Sequence, residues 1–555
     1  MTPAAFIEKW SQAKLTERAA AQSHFIDLCR LLGEPSPTEA DSKGDWYAFE
    51  RGARKTSDHR GWADVWKRGA FAWEYKRPGR SLVGAYAQLQ QYAPALGNPP
   101  LLIVSDTRDI VIHTNWTNSV SLTHLVRLRD LLDPAFRRLL KNALSEPEKL
   151  RPEQTRETLT EQTAREFSQL ATALRERGHP PEKVAHFISR LVFCMFAQWV
   201  GLLKEGLFTR LMETSAERPA DFAELACDLF AAMRTGGRVG FDRVRWFNGG
   251  LFDDDSALPL LPKEINSVLE VSRKSWADID PSIFGTLFER GLDPDKRAQL
   301  GKFYTDRAKI EMIVDPVIVQ PLRAEWNASK TEIQAAIEKA RKARSERTKR
   351  NAIKSAEATY HTALNRIRSF KVLDPACGSG NFLYVALLAL KDIEHEIGIE
   401  AEAISPQLLR EMPQVGPENL YGIEINAYAA DLARVTIWIG EIQWMLKRGW
   451  SIPSNPVLRN LNTIECRDAL LNADGTIANW PKADVVISNP PFLGNKLMIT
   501  MLGEKYVGQL RQAYQESLNA GVDLVCFWFA KSWTAIQARS LRRAGLVSTN
   551  SIRGG

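Results

Sequence analysis

Asn489-Pro490-Pro491-Phe492 puts an amide, a backbone carbonyl and an aromatic ring into one rigid loop. Proline has no N–H and a fixed φ, so the pair cannot continue a helix or a central strand ladder. The Asn489 side-chain oxygen and the Pro490 carbonyl can accept the two N–H bonds of an exocyclic amine, and Phe492 can stack on the face of a planar ring. A plain strand-terminating turn would use the same four residues, so the rest of the chain must decide between the two.

Two further groupings bear on that choice. Asp374-Pro375-Ala376-Cys377-Gly378-Ser379-Gly380-Asn381 is a loop of small residues whose glycines let the backbone approach a ligand closely. It lacks the Gly-Lys-Ser/Thr of a phosphate-binding loop and the spacing of a dinucleotide fingerprint. Near the N-terminus, Asp64 lies in Gly61-Trp62-Ala63-Asp64-Val65-Trp66, and Glu74 and Lys76 lie in Phe71-Ala72-Trp73-Glu74-Tyr75-Lys76. The alternation in the second segment is that of a strand, with Glu74 and Lys76 on one face. Two carboxylates can hold Mg²⁺, which polarises a phosphate and lowers the pKa of a water, and the lysine can orient that water or stabilise developing charge. Alone, this pattern also fits a solvated strand edge.

The elements that must position these groups are legible. Ala483-Asp484-Val485-Val486-Ile487-Ser488 reads as a buried strand ending at Asn489. Phe370–Asp374 reads as a strand, and Phe382–Leu388 opens a helix, so the glycine loop sits in a strand–turn–helix unit. Leu420–Asn426 reads as the next strand, ending in an acid. Leu101–Asp106 and Ile110–Thr114 read as two strands after the N-terminal grouping.

Taken together, the glycine loop and the Asn-Pro-Pro-Phe loop resemble the cofactor and catalytic motifs of amino-methylating DNA methyltransferases that use S-adenosylmethionine. That resemblance implies a Rossmann-like, doubly wound domain. It implies cofactor contacts from Asp374, Ala376, Gly378, Gly380 and Asn381, from Glu424 toward the ribose hydroxyls, and from Asp468 toward the adenine. Gly301-Lys302-Phe303-Tyr304-Thr305 is similar to the motif that closes over the methionine end, which points to Tyr304 and Thr305. Asp523-Leu524-Val525 and Gly545–Ser551 match later structural motifs, with Asp523 the more functional of them. The chemistry implied is direct transfer of the methyl to the amine, with much of the rate from proximity and orientation. Cys377 need not act. The target base must be flipped out of the duplex to stack on Phe492, and the motif order favours adenine N6 over cytosine.

Asp64, Glu74 and Lys76 resemble the metal and catalytic positions of the PD-(D/E)XK nuclease fold, with Asp64 and Glu74 as Mg²⁺ ligands. Gln88 and Tyr92 resemble the Gln-x-x-x-Tyr motif of some of these nucleases, and Glu17, on an amphipathic helix ending near Leu32, stands where the fold places its first acid. The order is similar to that of single-chain restriction–modification enzymes of the MmeI kind. Arg190–Ala197, Phe247–Phe252 and Phe284–Glu289 fit as connector segments. The fold class expected is therefore α/β multidomain: a PD-(D/E)XK nuclease-like domain over 1–150, a helical connector over 155–300, and a methyltransferase over 301–555. Double-stranded DNA is the expected partner, and self-association for cleavage is left open. A chain ending at Gly555, just after an expected core strand, is expected to be a truncated fragment without its target recognition domain. Three readings stand at this point: a bifunctional restriction–modification polypeptide, an adenine methyltransferase with an inert nuclease-like domain, and a DNA-binding defence component with neither activity.

Composition sets the outer bounds. The 555 residues suffice for three or so domains. The net charge of +7 suits a polyanionic partner and is also common among plain soluble proteins. The cysteines show no C-x-x-C spacing and so no zinc or disulfide framework. No signal peptide is evident and no run of eighteen apolar residues exists, which excludes a membrane span on length and implies a reducing cytoplasmic compartment. Val192–Leu203, the most apolar run, reads as a buried helix. Thr331–Arg368 reads as one highly charged helix. Its central cations, Lys339, Arg341, Lys342, Arg344, Arg347, Lys349, Arg350 and Lys354, make either a solvated face or a phosphate-contacting one.

Overall fold

The computed structural model describes residues 1–13, 17–51, 63–246, 251–283, 285, 307–451, 461–519, 521–548 and 552. The chain divides into two compact units. The first comprises Met1–Thr160 with two later segments, Ala277–Ile279 and Trp444–Ile452; the second comprises the remainder.

The first unit is built on six strands in the order β1-β2-β3-β4-β5-β6: Tyr47–Arg51, Ala63–Lys67, Phe71–Tyr75, Leu101–Ser105, Asp109–Thr114 and Thr123–Arg127. All neighbours are antiparallel except β3 and β4, which run parallel. A parallel pair needs a crossover, and helix α2 (Leu82–Tyr92) supplies it, capped by the Ser81 hydroxyl. Every residue of β3 is buried. On one face Phe71, Trp73 and Tyr75 pack with Phe25 and Leu28 of α1 (Glu17–Leu32). On the other, Ala72 packs with Trp66, Ala85 and Leu89 beneath α2. The two later segments are held by hydrogen bonds. Asp278 accepts from the Ser121 N–H (2.9 Å), the Ser121 hydroxyl (3.2 Å) and Arg156 Nε (3.1 Å), and Gln91 Nε2 donates to the Gly449 carbonyl (2.9 Å).

The second unit opens with helices, among them α3 (Pro181–Trp199), in which all of Arg190–Ala197 is buried. A small hairpin, β7 (Gly237–Val239) and β8 (Asp242–Val244), interrupts the helical stretch. Then come α4 (Gln320–Lys342), α5 (Glu346–Arg368), β9 (Val372–Asp374), α6 (Asn381–Ile404), β10 (Leu420–Glu424), α7 (Ala427–Lys447), β11 (Ile464–Cys466), β12 (Val485–Ser488), α8 (Glu504–Ala513), α9 (Val525–Gln537) and β13 (Arg543–Leu546). The five strands form a wholly parallel sheet in the order β11-β10-β9-β12-β13. Both faces are covered, so consecutive residues serve opposite cores: Val372, Val485 and Ile487 on one side, Leu373 and Val486 on the other. The strand order reverses between β9 and β12, and ligands bind at such a switch point, beyond the carboxyl ends of the strands.

One expectation is corrected. Residues 331–368 are not a single helix. Extended backbone at Ala343 (ψ 129°) and Ser345 (ψ 130°) breaks the run into the α4–α5 hairpin. Folding back lets Ile333, Ile337, Ala356, Tyr360 and Leu364 share one core, a gain of apolar burial that a single exposed helix would forgo.

Candidate methyl-transfer and cleavage sites

At the switch point the glycine loop and the Asn-Pro-Pro-Phe loop leave neighbouring strands. β9 ends in Asp374, whose fully buried carboxyl accepts from the Ala376 N–H (3.1 Å) and from the Ser488 hydroxyl (2.6 Å). Ser488 is the last residue of β12 and precedes Asn489, so this bond ties the two loops together. Burial pushes the Asp374 carboxyl up to about 7; the two donors oppose that, and nearby Glu424 adds to it. The same burial pushes the Cys377 thiol up, so it stays protonated and is no nucleophile.

Glu424, at the end of β10, accepts from the Gly378 N–H (2.9 Å) and the Asn426 N–H (2.9 Å). The Cys377 N–H donates to the Ile423 carbonyl (3.1 Å), which fixes the loop against β10. Gly380 has φ +87°, and a Cβ there would lie 2.9 Å from the Ala433 Cα on α7, so only glycine fits. Gly378 differs: a Cβ there would meet no described residue within 4 Å. Asn381 begins α6, and its side-chain oxygen is buried without a hydrogen-bond partner among the described residues. Glycine backbone, buried carboxylates at two strand ends and an unsatisfied amide oxygen suit a cofactor bearing ammonium and hydroxyl groups.

The Asn489–Leu493 loop is irregular, with Pro490 and Leu493 buried and Asn489, Pro491 and Phe492 half-buried. Its far end is clamped where the Leu524 N–H donates to the Leu493 carbonyl (2.9 Å) and the Asn495 N–H to Asp523 (3.1 Å). Asp523 therefore shapes the loop's exit. Asp468, after β11, accepts from the Leu470 N–H (2.7 Å) and from the Tyr506 hydroxyl (2.7 Å) on α8. Tyr304 and Thr305 lie outside the described residues, as do Phe247–Gly250 and most of Phe284–Glu289. Ser488 and Tyr506 were not singled out by sequence. A lone hydroxyl ending an apolar strand was the signal for Ser488; Tyr506, 38 residues from its partner, gave none.

In the first unit, the β2–β3 register pairs Val65 with Trp73, and one step further sets Asp64 opposite Glu74. Asp64 Oδ2 accepts from the Tyr75 N–H (2.7 Å), and Lys76 Nζ lies 2.8 Å from Glu74 Oε1. Glu74 is only 6% exposed. The three residues are thus brought together. By strand alternation both carboxylates share the face of Trp66 and Ala72, which α2 covers with Gln88 and Tyr92 half-buried on it. Glu17 is the first residue of α1, and its side chain lies outside the described residues. Among the described residues no three His, Cys, Asp or Glu gather to hold a metal. Two carboxylate oxygens are nonetheless the donor type Mg²⁺ takes through one or two protein ligands.

Comparisons with known proteins agree with this architecture. The model of the MmeI DNA-methyltransferase domain matches residues 348–555, that of the MmeI helicase spacer domain residues 182–252, and that of the MmeI N-terminal domain residues 1–177. The second unit thus carries a DNA-methyltransferase domain of the MmeI type. With three MmeI models matched in order along its length, the chain belongs to the MmeI family. A solved structure of the type IIL restriction–modification enzyme MmeI in complex with DNA superposes with a TM-score of 0.57 at 24% identity, covering 70% of this chain and 50% of that one. DNA methyltransferase A of Bacillus subtilis (strain 168) is 26% identical over 412 residues, 71% of this chain and 43% of that protein. Adenine-specific methyltransferase BrxX of Escherichia coli O9:H4 (strain HS) is 28% identical over 202 residues, 32% of this chain and 15% of that protein. The chain therefore spans half or less of the length of these relatives. None of its described helices is long and apolar enough to cross a membrane.

Proposed function

We propose that the second unit transfers a methyl group from S-adenosylmethionine to the exocyclic N6 amine of an adenine flipped out of duplex DNA. The observation that carries this reading is the Ser488–Asp374 hydrogen bond, which fixes the amine-accepting loop beside the glycine loop at the sheet's switch point. The cofactor supplies an activated methyl on a sulfonium. Glu424 and Asp468 would hold its ribose and adenine, Asp374, Ala376, Gly378, Gly380 and Asn381 would line its approach, and Tyr304 and Thr305 are the residues that the family motif assigns to its methionine end. Asn489 and the Pro490 carbonyl accept the amine hydrogens and aim the nitrogen lone pair out of the ring plane, Pro491 stiffens the loop, and Phe492 stacks on the base. Adenine is favoured by the motif order and by the likeness to a relative named as adenine-specific.

In the first unit, Asp64 and Glu74 would hold Mg²⁺ and Lys76 would orient the attacking water, with Gln88 and Tyr92 in support, so that one polypeptide both methylates and cuts. On this reading residues 1–150 cleave, 155–300 connect and 301–555 methylate. The test combines the chain with labelled cofactor, Mg²⁺ and plasmid DNA. Asn489→Ala should abolish methyl transfer to adenine while keeping cofactor affinity, and Lys76→Ala should abolish cutting alone. Label on adenine persisting in the first variant, or nicking in the second, would overturn the respective assignment.

A further inference from the structure

The tip of the α4–α5 hairpin carries the charge of the whole chain. From Lys339 to Lys354 there are eight lysines and arginines against one acid, Glu346, which gives +7; the chain's net charge is also +7, so the remainder is neutral. All eight cations are exposed. Arg341, Lys342 and Lys349 have glutamate neighbours on their own helices. Lys339, Arg344, Arg347, Arg350 and Lys354 make no ion pair with any described residue, and the last three recur along one side of α5, away from its buried Ala352, Ala356 and Tyr360.

Folding alone would not select this arrangement. Arg347, Lys349 and Arg350 occupy the first turns of α5, where the helix dipole is positive and cations are unfavourable. Eight like charges spread over the last turn of α4, the bend and the first turns of α5 repel one another as well. The buried seam of Ile333, Ile337, Ala340, Ala352 and Ala356 holds the hairpin rigid against this repulsion. A polyanion removes both penalties, and arginine forks match phosphate oxygens.

We propose that this tip is a docking surface for the phosphate backbone of duplex DNA flanking the target base. The proposal rests on the reading of DNA as substrate. α4 is bonded to the far half of α6, through Trp326 and Lys330 to Glu400 (2.6 and 3.0 Å). The glycine loop lies at the other end of this helix of about 36 Å, so the tip grips DNA away from the methylated base.

The test replaces Arg344, Arg347, Arg350 and Lys354 by glutamine in the full chain. Binding of a labelled duplex of about 40 base pairs is titrated from about 50 to 300 mM salt, each contact contributing about 0.9 to the slope. The expected result is a slope shallower by about 3 to 4 and an affinity more than about tenfold weaker at 100 mM salt, with cofactor affinity and melting temperature unchanged. A control with Lys183, Arg218, Lys263 and Lys309 replaced should keep the original slope. An unchanged slope in the hairpin variant, an equal change in the control, or a loss confined to single-stranded RNA overturns the proposal. So does failure of the unsubstituted chain to bind duplex at all. Duplex binding with the expected slope change but no methyl transfer overturns only the proposed reaction.

Discussion

Replacing Ser488 by alanine removes the 2.6 Å bond between the two loops and leaves Asp374 with the Ala376 N–H among its described donors. The effect should depend on pH. In the folded chain burial raises the Asp374 carboxyl from 3.8 to about 7, with Glu424 and the buried Cys377 beside it. Between these values the folded state holds a proton that the unfolded state has released. The stabilisation this gives is complete below about pH 4 and is lost as pH rises through about 7; a gap of about three units corresponds to about 4 kcal/mol. The Ser488 hydroxyl favours the charged form, and a hydrogen bond to a charged group contributes about 1.5–3 kcal/mol. Ser488→Ala should therefore raise the Asp374 pKa further, costing about 2–3 kcal/mol of stability at pH 8.5 and less than about 1 kcal/mol at pH 5. Urea unfolding at the two pH values measures this, and Ser488→Thr, which keeps the hydroxyl, should recover most of the loss. An equal loss at both pH values would refute the assignment of charge to Asp374.

Gly380→Ala forces a side chain to positive φ and against the Ala433 backbone; the two penalties together come to about 2–5 kcal/mol, read as a lower melting temperature and weakened cofactor binding by calorimetry. Lys391 is fully buried on α6, bonded to the Val415 carbonyl and to Glu441 (2.8 Å each). Lys391→Met should cost about 3–5 kcal/mol by stranding Glu441, and adding Glu441→Leu should restore much of it in denaturant unfolding. Cys377→Ala should retain methyl transfer, because the buried thiol is protonated; loss of activity with intact cofactor binding would contradict this.

The five-stranded sheet was legible because strands covered on both faces read as continuous apolar runs, as Val485–Ile487 does, and because proline and glycine mark where each stops. The three charged residues of the first unit were legible for a related reason: Asp64 and Glu74 interrupt strands that are otherwise almost wholly buried. The hairpin was not. Its sequence contains no glycine or proline at the bend, and the break at Ala343–Ser345 follows from a tertiary preference, the pairing of two apolar stripes. Asp278 was equally hidden, since its partners Ser121 and Arg156 lie over a hundred residues away and no local pattern marks them.

The three-segment make-up of the first unit bears on the order in which the chain matures. Residues 1–160 include all six strands of that unit, yet Asp278 and Gly449 must arrive before the Ser121, Arg156 and Gln91 groups find their partners. At ribosomal speeds of about 5–20 residues per second, Gly449 follows Thr160 by tens of seconds. By then the glycine loop and its helix have already been made. Gly449 nevertheless precedes β11, β12 and the Asn489 loop, so every segment of the unit bearing Asp64, Glu74 and Lys76 has been made while the parallel sheet still lacks β11, β12 and β13.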